Sequence, residues 1–217
     1  MTIIDQDAFK KLIQQFTIKS PSTRVEASVA GDSHSHRVSG SLLTILFYQQ
    51  DFPQLIVFDQ DANYRINSQL SNKAHQHLLI IENLENFLAL IQNPAHLDIW
   101  LDKHWDCDIV YASGNAINNK LHQKFFSQYD KIRCLLDIDS GGFKLFKSIS
   151  KLVAENTLCE FVLSDDYVNK HKRYGRLYSN EDYIKLINST YPQSLKKAYD
   201  LVIATKKFAE QEILLKS

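Results

Sequence analysis

The sequence predicts an α/β fold: a mostly parallel four-stranded sheet flanked by helices, with a small α+β region ahead of it. Three observations carry this. After residue 77, short apolar runs alternate with segments of helical periodicity, the pattern of βαβ units. Two of the runs, His77-Leu78-Leu79-Ile80-Ile81 and Asp108-Ile109-Val110-Tyr111-Ala112, are continuously apolar, as suits strands buried on both faces. Glycine (6) and proline (4) are scarce, which disfavours a turn-dense all-β chain.

The elements follow in order. Residues 5–18 place Phe9, Leu12, Ile13 and Phe16 at helical spacing, and Pro21 closes the segment. Residues 24–41 are polar and weakly patterned. Residues 42–48 and 54–58 are strand-length apolar runs, Asp59-Gln60-Asp61-Ala62-Asn63 is a turn, and Tyr64-Arg65-Ile66 returns as a strand. Residues 1–74 are therefore expected to form the small α+β region, and 75–217 the main domain. In that domain, strands are predicted at 77–81, 108–112, 132–138 and 159–163. Helices are predicted at 86–91, 118–129 and 143–152, from a polar, acidic start at Ser179-Asn180-Glu181-Asp182, and as one long final helix over 195–215.

Composition excludes several classes. Hydrophobic residues make up 44% and charged residues 23%, an ordinary globular mix with material for a core. Lys+Arg and Asp+Glu are 25 each, so a uniformly basic nucleic-acid coat is excluded while a local basic patch is not. Cys107, Cys134 and Cys159 are scattered and odd in number, which reads as buried reduced thiols rather than a disulfide framework or a zinc site. Met1-Thr2-Ile3-Ile4-Asp5 lacks the basic and apolar regions of a signal peptide, and the apolar runs fall short of the ~18 residues of a membrane span. A cytoplasmic protein with no membrane association is expected. No P-loop lysine motif and no GxGxxG occurs, which argues against a nucleotide-driven motor or a Rossmann dehydrogenase.

The acids point to chemistry. In an open parallel sheet, ligands bind beyond the carboxyl ends of the strands. Glu82 ends the first of the predicted strands, and Asp137 and Asp139 end the third. Two residues apart on a strand, Asp137 and Asp139 would share a side. If the strands are neighbours, three carboxylates converge and raise one another's pKa, a cost that a divalent cation relieves. Mg²⁺ favours one or two carboxylates with waters and phosphate oxygens. Asp139-Ser140-Gly141-Gly142 then turns into a helix, where Gly141 and Gly142 would let backbone amides approach an anion. Acids for a metal beside amides for a phosphate suggest phosphodiester chemistry.

Ile81-Glu82-Asn83, Ser113-Gly114-Asn115 and Asp137-Ile138-Asp139-Ser140-Gly141-Gly142 resemble the Toprim domain, with its strand-terminal Glu and DxDxxG. Among Toprim proteins, the Glu-Asn start followed by Asn86-Phe87-Leu88-Ala89 is similar to the C-terminal domain of the Wadjet (JetD-like) nuclease subunit and its topoisomerase VI-like relatives. That family tends to carry a late Glu-Gln-Glu, and Glu210-Gln211-Glu212 stands here. The resemblance covers about residues 75–215. It implies a Mg²⁺- or Mn²⁺-dependent DNA nuclease acting with an SMC/condensin-type complex against plasmid DNA. It implies Glu82, Asp137 and Asp139 as metal ligands, Glu210 and Glu212 as support for a second metal, and Glu82, Asp137, Asp139 and Glu212 as catalytic residues. Glu85 reads as an exposed helix acid. The larger relatives place a winged-helix domain and arms before Toprim, and the stretch ahead of residue 75 is too short for both. Water is therefore the expected nucleophile, rather than a tyrosine, or else a partner chain supplies DNA contacts. A homodimer is also compatible with the sequence.

Lys170-His171-Lys172-Arg173-Tyr174-Gly175-Arg176 is a basic run predicted to leave the sheet at the acidic end. Lys170, Lys172, Arg173 and Arg176, with Lys144, are the expected nucleic-acid contacts. Lys147 and Lys151 share the helix of Lys144, and Lys196, Lys197, Lys206 and Lys207 lie in the final predicted helix. His34/His36 and His75/His77 are H-x-H pairs that lack a regularly spaced third ligand, so polar surface histidines are the preferred reading over zinc. Trp100 and Trp105 read as core or interface. Two alternatives stand beside the nuclease: a non-catalytic Toprim-like module that docks a partner or nucleic acid, and RNA processing or primer synthesis, which other Toprim branches perform.

Overall fold

The computed structural model describes Asp7, residues 28–29, 40–66, 77–101 and 106–216. The helix expected over 5–18, Asp7 apart, lies outside these residues, as do His34, His36, His75 and Trp105. A compact unit begins at Gly40.

That unit is built on one seven-stranded sheet rather than the expected four. Its strands are β1 (Ser41–Leu46), β2 (Gln54–Phe58), β3 (Tyr64–Arg65), β4 (His77–Ile81), β5 (Asp108–Tyr111), β6 (Lys131–Leu135) and β7 (Leu158–Phe161), in the order β3-β2-β1-β5-β4-β6-β7. Strands β4 to β7 are parallel to their neighbours, and β1 joins β5 antiparallel with Ile45 opposite Val110. The first three strands thus belong to the main sheet. A sequence boundary near residue 75 overlooks this because a β1–β5 pairing joins segments about 65 positions apart, with no local signal.

Leu78, Leu79, Ile80 and Ile81 of central β4 have no exposed surface, as a strand covered on both faces requires. Helix α1 (Leu84–Gln92) brings Phe87 against Tyr111, 5.8 Å between ring centres. Short α2 (His96–Trp100) follows and buries Trp100. Helix α4 (Ser140–Leu152) brings Phe143 and Phe146 against Phe161, each at 5.7 Å. Tyr111 is in register with Ile81, whereas Phe161 is in register with Cys134 and so with Ile80. Side chains alternate along a strand, so α1 and α4 cover opposite faces. The chain winds outward from β4 to β5 on one face and returns through β6 to β7 on the other. The winding reverses between β4 and β6, and the crevice beyond their carboxyl ends is the topological switch point.

Three predicted elements differ. Residues 118–129 are not one helix but two 3₁₀ turns, Gly114–Asn118 and Lys120–His122, followed by α3 (Gln123–Phe126). Asn119 is extended, and its side chain accepts from the Leu121 N–H, which interrupts the α ladder. The strand over 132–138 stops at Leu135. Its continuation, Ile138, exchanges both backbone hydrogen bonds with Ala209. The helix expected over 195–215 ends at Thr205. After α5 (Asp165–Tyr174), β8 (Arg176–Leu177), α6 (Asn180–Ile187) and α7 (Lys196–Thr205), Lys206 turns left-handed at φ 56°. The chain then forms β9 (Lys207–Phe208) against β8, and a 3₁₀ helix over Gln211–Leu215. Strand pairing and the Ile138–Ala209 bridge override helical periodicity here. Cys107 and Cys134 are buried and Cys159 half-buried, all as free thiols.

Candidate active site at the β4–β6 crevice

Glu82 follows β4 directly, and its N–H donates to the Leu135 carbonyl at 3.2 Å, which holds it level with the end of β6. Its Oε2 accepts from the Asp137 N–H at 3.4 Å. Asp137 Oδ1 accepts from the Gln211 N–H at 2.8 Å. Asp139 is the N-cap of α4: its backbone is extended, and Oδ1 accepts from the Gly142 N–H at 2.7 Å. Glu212 accepts from the Asn83 side-chain amide at 2.5 Å, and Asn83 caps α1 by accepting from the Asn86 N–H. Buried Asn86 donates to the Gln211 carbonyl at 3.1 Å. Helix α1, which starts at the crevice, thereby fixes the C-terminal segment against Asp137.

Glu82, Asp137, Asp139 and Glu212 share one electrostatic neighbourhood. Burial raises the pKa of Asp137 to about 7, the Glu82 charge adds to it, and Asp139 and Glu212 contribute further; the Gln211 hydrogen bond partly opposes them. Burial likewise raises that of Glu82, with Asp139 and Glu212 adding and the Asp137 N–H opposing. The sequence placed Asp137 and Asp139 on a strand. They stand instead in the β6–α4 connection, within electrostatic reach of Glu82. Glu212 joins from a segment distant in sequence. Glu210 does not: it pairs with Arg176 at 2.7 Å. Glu85 is exposed in the first turn of α1.

The two glycines differ in what a side chain would meet. A Cβ on Gly142 would stand 2.2 Å from the Asp137 carbonyl oxygen, so only glycine lets α4 start so close to that turn. A Cβ on Gly141 would meet only the Asp139 carboxylate, at 3.2 Å.

Two tyrosines of this region carry no motif in the sequence. The Tyr178 hydroxyl accepts from the Ser140 N–H at 3.1 Å, at the start of α4. Burial first, then the Asp139 charge, hold this phenol well above its usual pKa. Tyr167, fully buried, donates to the Leu136 carbonyl at 3.1 Å.

The basic run is largely engaged with the protein itself. Lys170 pairs with Asp166 at 3.2 Å and donates to the Leu214 carbonyl at 2.9 Å. Arg176 pairs with Glu210 and lies over the Phe208 ring. Arg173 lies over the Tyr174 ring. Lys172 and Lys144 are exposed.

Among the described residues, no group of three or more His, Cys, Asp or Glu is drawn together closely enough to hold a metal ion. One oxygen of each of the four carboxylates is engaged by an N–H of the chain. The donor set is nevertheless all oxygen and shares excess negative charge. It fits Mg²⁺ or Mn²⁺ held through one or two carboxylates with the rest of its shell water, as a hard ion that dehydrates reluctantly prefers.

No protein-family model matches the chain, and no curated protein matches it. Among solved structures, it is similar to the primase fragment of the bacteriophage T7 primase-helicase protein, at 14% identity and a TM-score of 0.35, over 64% of this chain and 62% of that fragment. It is also similar to a chain in a structure of bacteriophage T7 lagging-strand DNA polymerase interacting with primase domains bound to an RNA/DNA hybrid and dTTP. That match has 12% identity and a TM-score of 0.34, over 68% and 78% of the two chains. What the chain's own geometry defines is an α/β protein with an acidic crevice at the switch point of a parallel-rich sheet. Among the described residues no helix is long and apolar enough to cross a membrane.

Proposed function

We propose that this chain is a Toprim-like, divalent-metal-dependent nuclease that hydrolyses DNA phosphodiesters, working with an SMC/condensin-type complex in a Wadjet-like plasmid defence system. What supports the chemistry is that Glu82, Asp137, Asp139 and Glu212 act on one another's charge at the β4–β6 switch point, where burial and like charge raise the pKa of Glu82 and Asp137. A bound divalent cation supplies neutralisation of that charge and of the phosphate's. The Wadjet association rests on the Glu-Asn, DxDxxG and late Glu-Gln-Glu resemblance alone. Water is the nucleophile of choice: burial and the neighbouring carboxylates hold the Tyr178 and Tyr167 phenols protonated, which suits them to donate hydrogen bonds rather than to attack phosphorus.

The purified protein should nick or linearise plasmid with Mg²⁺ or Mn²⁺, with its partner complex added if the chain alone is silent. Asp137→Asn and Glu82→Gln should each lower the rate by about 100-fold or more, as loss of transition-state charge stabilisation does. Cleavage unchanged in both variants would defeat the proposal.

The non-catalytic module is the second reading, and the separation of the carboxylates favours it. A Mn²⁺-induced thermal shift that disappears in Asp139→Asn supports the enzyme. Asn caps a helix as well as Asp, so this variant removes charge while keeping the start of α4. Absence of any Mn²⁺ response in the wild type favours the module.

A further inference from the structure

Helix α4 starts at Asp139 and presents Lys144, Lys147 and Lys151 along one stripe, within about 60° of arc at 100° per residue. At 1.5 Å per residue they stand roughly 8, 12 and 18 Å along the axis from the acidic cap. Lys147 and Lys151, with Ser150, line one wall of a groove of about 330 Å³, whose other wall is Thr190, Tyr191 and Pro192. Lys147 reaches across and donates to the Thr190 carbonyl at 3.1 Å. No acidic side chain lines the groove. Among the described residues, none of the three lysines forms an ion pair. In the 170–176 run, by contrast, Lys170 and Arg176 are already paired with Asp166 and Glu210.

The geometry points to the α4 stripe and this groove as the track for the DNA backbone leaving the crevice, with Lys144, Lys147 and Lys151 contacting phosphates and the ion-paired Lys170 and Arg176 contributing little. The assignment deepens the nuclease reading and rests on it. Recruiting Lys144 and Lys151 breaks no ion pair and recruiting Lys147 gives up only its bond to the Thr190 carbonyl, whereas Lys170 and Arg176 must first break ion pairs. A duplex strand aligned with the roughly 18 Å between the cap and Lys151 would present about five nucleotides at 3.4 Å of rise each.

The test is binding of a fluorescent 20-base-pair duplex across a salt series, in EDTA so that metal plays no part. The wild type is compared with Lys147→Gln/Lys151→Gln and with Lys170→Gln/Arg176→Gln, whose charges are already paired. Each lost phosphate contact lowers the slope of log K against log salt by about 0.9, so the first pair should lose about 1.8 and the second close to nothing. Lys147→Arg should keep the wild-type slope, which separates loss of charge from loosening of the Thr190 segment. A full slope in Lys147→Gln/Lys151→Gln, while Asp137→Asn still abolishes cleavage, overturns the track and leaves the nuclease standing. A wild type that neither binds nor cleaves sinks both.

Discussion

Asp137 combines a buried carboxyl, three acidic neighbours and a single backbone donor from Gln211. Its ordinary pKa is near 3.9 and its folded value is about 7, so between these limits the folded state binds more protons than the unfolded one. Stability therefore falls as pH rises from about 4 to about 7, and the full penalty persists above that. In metal-free buffer, Asp137→Asn keeps the side-chain oxygen for Gln211 and removes the charge. It should melt higher than wild type at pH 8, by up to a few kcal/mol in stability, and no higher at pH 4. Thermal melts at the two pH values check this, and an equal gain at both would show that the charge is not the cause. Glu82 follows its predicted strand directly, whereas Asp137 and Asp139, read from the sequence as ending a strand, stand in the β6–α4 connection because β6 stops at Leu135. Tyr178 was not legible in the sequence, since only folding brings it to Ser140. Nor could spacing separate Glu212, turned to Asn83, from Glu210, turned to Arg176.

At the scale of elements, the β6–α4 connection is the tightest constraint. Gly142→Ala would push a methyl group to 2.2 Å from the Asp137 carbonyl oxygen, against backbone that cannot swing aside as a side chain can, and should cost about 3 kcal/mol or more. Gly141→Ala faces only a movable carboxylate and gains helix propensity, so its effect should lie within about 1 kcal/mol. Urea unfolding of the two variants gives the comparison, and a mild Gly142→Ala would remove this account of the double glycine. Apolar periodicity indicated α4 because Phe143, Phe146 and Ile149 form a consistent buried face. The same reasoning failed over 195–215, where β8 and Ile138 offer backbone partners that periodicity does not register.

For the whole molecule, β1–β3 complete the sheet and bury Leu43, Ile45, Ile56 and Phe58. A fragment spanning residues 75–217 loses these and bares the β5 edge, an invitation to edge-to-edge association. It should aggregate or fail to melt cooperatively; a monomeric fragment with a sharp transition by light scattering and calorimetry would contradict that. Alternating apolar runs and helical stretches, all local features, determined the α/β class and the parallel core strands. Tertiary structure alone decided the seven-strand order, the site of Glu212 and which cations are already paired. Those outcomes depend on contacts between segments 30 to 130 positions apart, whose energies come from pairing and burial rather than from local preference.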